Sequence, residues 1–235
     1  MKQLALTLAP PPEPSLDNFH PGRNIELLTA LRGLADGRSA ERFFYLWGES
    51  GCGRSHLLRA MAAALAARQV ATAYVGPGMP FPSADSAPRA LAVDDVDKLQ
   101  PSAQAAFFNL YNSVRERQGI VLAAGSRPPA KLAMRPDLIT RLGWGLVYQV
   151  HALADEDKMT ALQRHAAARA FDLPDGVAEY LLRHFRRDLP SLMSMLDALD
   201  QYSLEAKRPI TLPLLRELLQ ADAPGDGTLP PPSDA

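Results

Sequence analysis

The stretch from residue 43 to residue 67 constrains the fold of this chain more than any other. It begins with the apolar run FFYLW, continues through the loop GESGCGRS and ends in SHLLRAMAAALAA, whose leucines and alanines favour a helix. A strand, a glycine-rich turn and a helix therefore follow one another directly. This unit predicts a parallel sheet, because parallel neighbours need a crossover, which is usually a helix.

Four further apolar runs predict the other strands of the sheet. They are VATAYVG (70–76), ALAVDDVD (90–97), IVLAAG (120–125) and GLVYQV (145–150). Runs with helical periodicity lie between several of them, and this alternation predicts an α/β fold with helices covering a parallel sheet. From about Leu153 the remaining runs are helical, which predicts a separate small all-α subdomain.

The loop GESGCGRS has the spacing of a phosphate-binding loop. Glycines let backbone N–H groups turn towards a phosphate, and the following helix adds the positive end of its dipole. We therefore assign Gly48, Gly51, Gly53, Arg54 and Ser55 to the phosphates, with Ser55 also placed to ligate Mg²⁺. The alternative is a chance spacing in a glycine-containing turn. The strand before the loop and the helix after it favour the phosphate-binding interpretation.

The run LAVDDVD ends a strand in two acids, Asp94 and Asp95. Beside a phosphate loop, Asp94 is placed to hold the metal and Asp95 to orient an attacking water. The alternative is an ordinary acidic turn. Arg54 stands where such loops usually carry lysine, and its planar guanidinium differs in size and shape from a compact ammonium. Nucleotide binding is therefore better supported than hydrolysis by the chain itself.

Composition limits which binding partners and which cellular compartment we expect for this chain. The chain has 25 Lys and Arg against 26 Asp and Glu, a net charge of −1, so it lacks the basic excess of a DNA-binding surface. The single cysteine, Cys52, cannot form an internal disulfide, which favours a reducing compartment. The N-terminal apolar run is too short for a signal peptide and no stretch is long enough to span a membrane, so we expect a cytoplasmic protein.

The quoted motifs occur in an order that resembles a known family. The stretches that carry the resemblance are LDNFHPGRN (16–24), YLWGESGCGRSHLLRA (45–60), GSRPP (125–129), PDLITRLGWGLVYQV (136–150) and LADEDKMTALQ (153–163). The chain resembles the AAA+ domain of the bacterial replication initiator DnaA and, among DnaA-related proteins, the regulatory inactivators (Hda), in which arginine in the loop is typical. The resemblance covers nearly all of residues 16–219. It implies a P-loop AAA+ sheet followed by a helical lid.

The resemblance assigns roles to residues that the bare sequence would not single out. Arg141 falls on the arginine finger, which faces nucleotide held by a neighbouring molecule, and Ser126 lies at or beside the sensor-1 position. Without the resemblance, a helix-capping arginine and a loop hydroxyl are the simpler interpretations. Pro190 occupies the position where the lid usually offers a sensor-2 arginine. Arg186 and Arg187 lie just upstream of it. Either they take the place of the sensor-2 arginine or they are ordinary solvated charges.

The N-terminal run QLALTL places Gln3 ahead of Leu4, Leu6 and Leu8. In an extended segment the three leucines share one face, a form suited to docking in a pocket. The run resembles the hexapeptide by which this family binds the β sliding clamp. The alternative is a frayed apolar N-terminus.

The expected organisation has four parts. A clamp-binding motif and proline-rich linker occupy 1–14, the nucleotide-binding α/β subdomain 15–152, the helical lid 153–221 and a disordered tail 222–235. The chain ends soon after the last helix, so we expect no DNA-binding domain of its own.

Together these features imply a negative regulator of replication initiation. The chain would hold ADP or ATP, with ADP favoured, dock on a DNA-loaded sliding clamp and stimulate hydrolysis of DnaA-bound ATP through Arg141. DNA would be contacted through the clamp, no membrane would be involved, and facing finger and nucleotide sites suggest self-association. Two alternatives stay open: an autonomous AAA+ ATPase of the helicase-loader type, and a non-enzymatic scaffold.

Overall fold

The computed structural model describes residues 13–185 and 188–221. These residues fall into two compact units, one comprising Glu13–Asp157 and the other beginning at Lys158. The expected clamp-binding run, Arg186, Arg187 and the expected tail all lie outside the described residues.

The first unit is built on a five-stranded sheet in which every neighbouring pair is parallel. The strands are β1 (Phe43–Trp47), β2 (Thr72–Val75), β3 (Ala90–Val93), β4 (Ile120–Gly125) and β5 (Leu146–Gln149), in the order β2-β3-β4-β1-β5. The predicted parallel α/β sheet is confirmed. The strands β3 and β4 are almost wholly buried, as expected of a parallel sheet covered on both faces.

Helices cover both faces of this sheet, and alternate strand residues pack against them. The helices of this unit are α1 (Ile25–Ala35), α2 (Arg54–Ala67), α3 (Pro101–Glu116) and α4 (Pro136–Leu142). Phe44 and Leu46 of β1 pack with α1 and α2, whereas Tyr45 between them packs with α3 and α4. The period of two along each strand thus divides the core into two layers.

The carboxyl ends of β1, β4 and β3 lie side by side at one edge of the sheet. This follows from their adjacent, parallel pairing, with β4 between the other two. Gly48 follows β1, Asp94 follows β3 and Ser126 follows β4. The crevice outside the carboxyl ends of such strands is where open α/β sheets usually bind ligands.

The second unit is helical in the described residues. Helix α5 (Asp155–Ala168) begins at the end of the first unit and is followed by α6 (Asp175–His184), α7 (Leu189–Ala206) and α8 (Leu212–Ala221). Its core is formed mainly by leucines, among them Leu162, Leu181, Leu196 and Leu215. The prediction of a small helical subdomain after the sheet is confirmed.

None of the helices in the described ranges is long and apolar enough to cross a membrane.

Candidate functional site

The loop after β1 is tight, and two of its glycines have no room for a side chain. A Cβ atom on Gly48 would lie 2.4 Å from the carbonyl oxygen of Val150 and 2.9 Å from Sγ of Cys52. Gly53 has a φ of +102°, and a Cβ atom there would lie 2.8 Å from Cε2 of Phe19. Gly51 also has a positive φ, of +80°, but the space around it is open. Glycine is therefore required at Gly48 by contact and at Gly53 by both contact and conformation.

Helix α2 begins at the end of this loop without a counter-charge in its own first turn. Gly53 is the N-cap residue, it supplies no side-chain cap, and the first turn contains no acidic residue. The first N–H groups of a helix need partners from outside it, and the helix dipole favours an anion there. Ser55 is exposed in this turn. The start of α2 thus has the properties of an anion-binding helix end.

The side chain of Arg54 is largely desolvated and only partly paired. It is 11% exposed, and its Nη2 atom lies 3.7 Å from Oδ1 of Asp95. Its Nη1 atom is buried and has no hydrogen-bond partner, the one such side-chain nitrogen or oxygen in the described part of the chain. A buried donor without a partner is costly, so this position suits an oxyanion that the guanidinium can bind.

The two acids after β3 have different surroundings. Asp94 is 3% exposed, and its Oδ2 atom accepts a hydrogen bond of 3.0 Å from the Tyr74 hydroxyl. Its Oδ1 atom accepts another, also of 3.0 Å, from the backbone N–H of Asp95. Asp95 itself lies between two cations, with Nζ of Lys98 only 2.8 Å from its Oδ2 atom and Arg54 near its other oxygen.

Tyr74 connects Asp94 to the exposed surface of α2. Burial raises the pKa of the Tyr74 hydroxyl, the hydrogen bond from Arg59 lowers it, and the Asp94 carboxylate raises it further. The guanidinium of Arg59 lies 5.3 Å from the centre of the Tyr74 ring. Because its net pKa is raised, Tyr74 stays protonated at neutral pH and donates to Asp94, which fixes the direction of that carboxylate.

Ser126 is bound to a third acid, Asp97, which the sequence analysis did not single out. The Ser126 hydroxyl donates to Oδ2 of Asp97 over 2.7 Å, and the Ser126 backbone N–H donates to Oδ1 over 3.0 Å. Burial raises the pKa of Asp97, but these hydrogen bonds outweigh it and hold the pKa below its usual value. The signal for Asp97 is the third acid in VDDVD, two positions after the pair that the sequence analysis assigned.

Arg141 lies in a separate cluster at the end of α4. Its Nε atom donates to Oδ1 of Asn112 over 2.8 Å. Its guanidinium carbon lies 4.5 Å from the centre of the Trp144 ring and 4.7 Å from that of Phe108. Tyr111 donates to the Arg141 carbonyl oxygen over 3.1 Å. One amide and two aromatic faces therefore orient the guanidinium.

The Arg141 cluster also has an exposed aromatic surface. Trp144 is 50% exposed, and the guanidinium of Arg115 lies 5.1 Å from the centre of its ring. Sequence reasoning named Arg141 but missed Phe108, Asn112 and Trp144. The only sequence signal for these residues is the four-residue spacing of Phe108 and Asn112, which places both side chains on one face of a helix.

Of the residues assigned from the sequence, the structure pairs Arg54 with Asp95. Asp94 and Ser126 are each bound to a residue that was not assigned, Tyr74 and Asp97 respectively. Arg141 has its own cluster. Pro190 lies in the first turn of α7, after the N-cap residue Asp188.

A metal site made by the protein alone is absent from the described ranges, where no three His, Cys, Asp or Glu side chains cluster suitably. The arrangement at Asp94 and Ser55 is of another kind. Mg²⁺ at phosphates is commonly held by one or two protein ligands together with the phosphates and water. Asp94 is a carboxylate whose direction is fixed, and Ser55 is an exposed hydroxyl at the start of α2, so the two residue types fit that pattern.

Comparison with known proteins agrees with this geometry. Residues 155–219 match the family described as the Hda lid domain. Domain III of the Thermotoga maritima replication initiation protein DnaA superposes with a TM-score of 0.71 at 19% identity, over 90% of this chain and 98% of that one. The chain is therefore similar to Hda over its lid segment and has the fold of a DnaA-type AAA+ domain.

Two further solved structures share the fold of this chain. AMPPCP-bound DnaA from Aquifex aeolicus gives a TM-score of 0.67 at 19% identity, over 83% of this chain and 67% of that one. RuvB from Thermotoga maritima gives 0.62 at 15% identity, over 91% of this chain and 72% of that one. At 15–19% identity these likenesses show a shared fold.

Proposed function

We propose that this chain holds an adenine nucleotide, with ADP favoured, and acts as a negative regulator of replication initiation. The observation that carries the nucleotide site is the buried, unpartnered Nη1 atom of Arg54 at the uncapped start of α2. A desolvated cation and a free helix N-terminus at one point favour an anionic group such as a phosphate. The related DnaA from Aquifex aeolicus is described as bound to AMPPCP, an adenine nucleotide analogue.

The residues around the loop fit a nucleotide. Gly48, Gly51 and Gly53 would surround the phosphates, with Arg54 and Ser55 binding them. Ser55 and Asp94 would hold Mg²⁺, which would supply positive charge to the phosphate oxygens. Ser126 would lie at the edge of this group, its hydroxyl directed by Asp97.

The surroundings of Asp95 favour holding a nucleotide over hydrolysing it. A carboxylate that orients an attacking water must offer an oxygen to that water. Both Asp95 oxygens instead lie near cations, Oδ1 near Arg54 and Oδ2 near Lys98. We therefore infer that ATP turnover by the isolated chain is weak, and that its nucleotide orders an interface.

The proposed activity lies in the Arg141 cluster. A cation brought against the developing charge of a transferring phosphoryl group accelerates hydrolysis by about three to five powers of ten in well-studied GTPases. Such a group works best when it is oriented before the reaction. Asn112, Phe108 and Trp144 hold Arg141 in this way. The cluster would face ATP held by DnaA, and the product would be the ADP form of the initiator.

The proposed tether is the run from Gln3 to Leu8, which would dock on a DNA-loaded β sliding clamp. DNA would be contacted through the clamp. A finger that acts on nucleotide held by a neighbouring molecule would also allow self-association of the chain, with Arg141 of one copy towards the loop of the next.

The test is hydrolysis of ATP pre-bound to DnaA, measured with clamp-loaded DNA. The intact chain should stimulate hydrolysis, whereas Arg141→Ala and a chain lacking residues 1–8 should lose at least about tenfold of that stimulation. Arg38→Ala is the matched control, because Arg38 is an exposed arginine whose partner is Asp36. It should stimulate as well as the unmodified chain.

Other outcomes would identify the alternatives. An intact chain that hydrolyses free ATP rapidly and leaves DnaA-bound ATP unchanged would be an autonomous ATPase. A chain that binds DnaA or the clamp without binding any nucleotide would be a scaffold. Loss of stimulation in Arg141→Ala but not in the shortened chain would retain the finger and remove the tether from the proposal.

A further inference from the structure

The backbone of Asp95 directs its carboxylate in an unusual way. Asp95 has φ 46° and ψ 48°, the left-handed region that residues with a Cβ atom rarely adopt. Its N–H is bound to Oδ1 of Asp94, and it begins a single 3₁₀ turn, Val96–Lys98. The strained conformation is thus held by neighbouring contacts, and it brings the Asp95 side chain to Arg54.

The contact between Asp95 and Arg54 is an ion pair that lacks a full hydrogen bond. The distance from Nη2 to Oδ1 is 3.7 Å, longer than an N–H···O hydrogen bond. The side chains are 11% and 16% exposed, so water screens the attraction only in part. The second donor group of Arg54, at Nη1, is left without a partner. Asp95 therefore balances the charge of Arg54 but does not satisfy its hydrogen-bond donors.

We propose that Asp95 is an internal counter-ion that competes with nucleotide phosphate for Arg54 and so sets the affinity and charge selectivity of the site. The inference rests on the proposed nucleotide site. It gives Asp95 a binding role in place of the water-orienting role expected from the sequence. Asp95 lies in the loop after β3, so in the protein without nucleotide Arg54 is already paired with a carboxylate of the same chain.

Competition of this kind makes the site selective for ligand charge. A phosphate can accept two short, charge-assisted hydrogen bonds from one guanidinium, and one of them would satisfy Nη1. It can therefore displace a carboxylate that is 3.7 Å away. A ligand without phosphate has nothing to offer Arg54, so it leaves the ion pair intact.

The test compares dissociation constants for ADP, inorganic pyrophosphate and adenosine, measured by calorimetry on the full chain. Asp95→Asn keeps the side-chain shape and removes the charge, and should bind ADP and pyrophosphate roughly tenfold more tightly, the scale of a partly desolvated ion pair lost from the free protein. Adenosine affinity should stay unchanged. In an Arg54→Ala background the same substitution should gain about threefold or less, from reduced repulsion alone.

Glu49→Gln is the matched control, since it removes an equal charge from the glycine loop itself, where Glu49 is exposed. If Glu49→Gln and Asp95→Asn tighten ADP binding equally, or if the gain of Asp95→Asn persists with Arg54→Ala, Asp95 is only a nearby negative charge and the proposal is overturned. Circular dichroism of each variant establishes that it is folded.

The outcomes separate this inference from the function on which it depends. If the unmodified chain binds ADP and Asp95→Asn binds it no better, the counter-ion role is wrong and the nucleotide site stands. If neither protein binds ADP or pyrophosphate, the proposed nucleotide site is wrong, and the counter-ion role, which depends on that site, is wrong as well.

Discussion

The hydroxyl of Ser126 donates a 2.7 Å hydrogen bond to Oδ2 of Asp97, and the same residue's backbone N–H binds the other oxygen. The segment after β4 is thereby fastened to the turn after β3, across the edge of the sheet. The proton of the Ser126 hydroxyl is committed to Asp97, which leaves the oxygen lone pairs for a ligand.

Ser126→Ala should lower the free energy of unfolding by about 1–2 kcal/mol at pH 7, because a hydrogen bond to a charged carboxylate is lost. The pKa of Asp97 lies below its ordinary value of 3.8, so its contribution to stability is present above that value and is lost as pH falls through the lowered folded pKa. Urea unfolding at pH 7 and near pH 3 should therefore show the two proteins converging at the acidic end. A constant gap at all pH values would contradict this reasoning.

Gly53→Ala should be more damaging than Gly51→Ala. Both residues have a positive φ, which costs an alanine about 1–2 kcal/mol. Only at Gly53 does the new Cβ also meet a side chain, 2.8 Å from Phe19. We expect Gly53→Ala to lose about 1 kcal/mol more, by thermal or urea unfolding, and Phe19→Leu to recover part of that difference. Equal losses would show that Phe19 moves freely.

Tyr111→Phe should change the response to alkaline pH. Burial raises the pKa of Tyr111 to about 12, while Arg141 and Arg115 partly oppose the rise. A raised folded pKa means that the contribution is present below the ordinary value of 10.0 and is lost as pH rises towards 12. At pH 7 the variant should be about 1 kcal/mol less stable, because the hydrogen bond to the Arg141 carbonyl is absent.

By pH 11.5 the order should be reversed or the gap closed. The unmodified chain should lose about 2 kcal/mol through Tyr111 over that range, a loss that phenylalanine cannot share. The measurement is urea unfolding of both proteins from pH 9 to 11.5. Parallel curves would mean that Tyr111 ionises without cost in the folded state.

Arg141→Lys should fold normally yet stimulate hydrolysis of DnaA-bound ATP at least about tenfold less than arginine. Lysine keeps the charge but loses the planar stacking on Phe108 and Trp144 and the Nε hydrogen bond to Asn112. Asn112→Ala keeps the arginine and removes only that hydrogen bond. It should give an intermediate loss, with binding to DnaA less affected than the rate of hydrolysis. A lysine variant of full activity would show that charge alone suffices.

Much of the fold follows from local sequence, as β1, the glycine loop and α2 illustrate. FFYLW, GESGCGRS and the alanine-rich helix each carry their own signal, and the alternation of Phe44, Tyr45 and Leu46 between two cores is the simple period of a strand. The order β2-β3-β4-β1-β5 has no such local signal. The sequence analysis predicted a parallel sheet without its strand order.

The site could be predicted only where residue type determines position. Glycine spacing identified Gly48 and Gly53 because few other residues tolerate those positions. The partner of Ser126 could not be read from the sequence, since Asp97 is 29 residues away and the contact depends on adjacent strands. For the same reason the sequence suggested a free carboxylate at Asp95. Its pairing with Arg54 depends on the left-handed backbone conformation of Asp95, which an aspartate in the sequence does not predict.

The segment from Ser15 to Phe19 lies against the start of α2, and this has a mechanical consequence for a tethered protein. The Ser15 carbonyl oxygen is 2.9 Å from Nε2 of His56, and Phe19 touches the space beside Gly53. If residues 3–8 bind a clamp as proposed, tension on the chain ahead of Glu13 would be transmitted first to these contacts. Pulling on that tether would then strain the glycine loop at the start of α2.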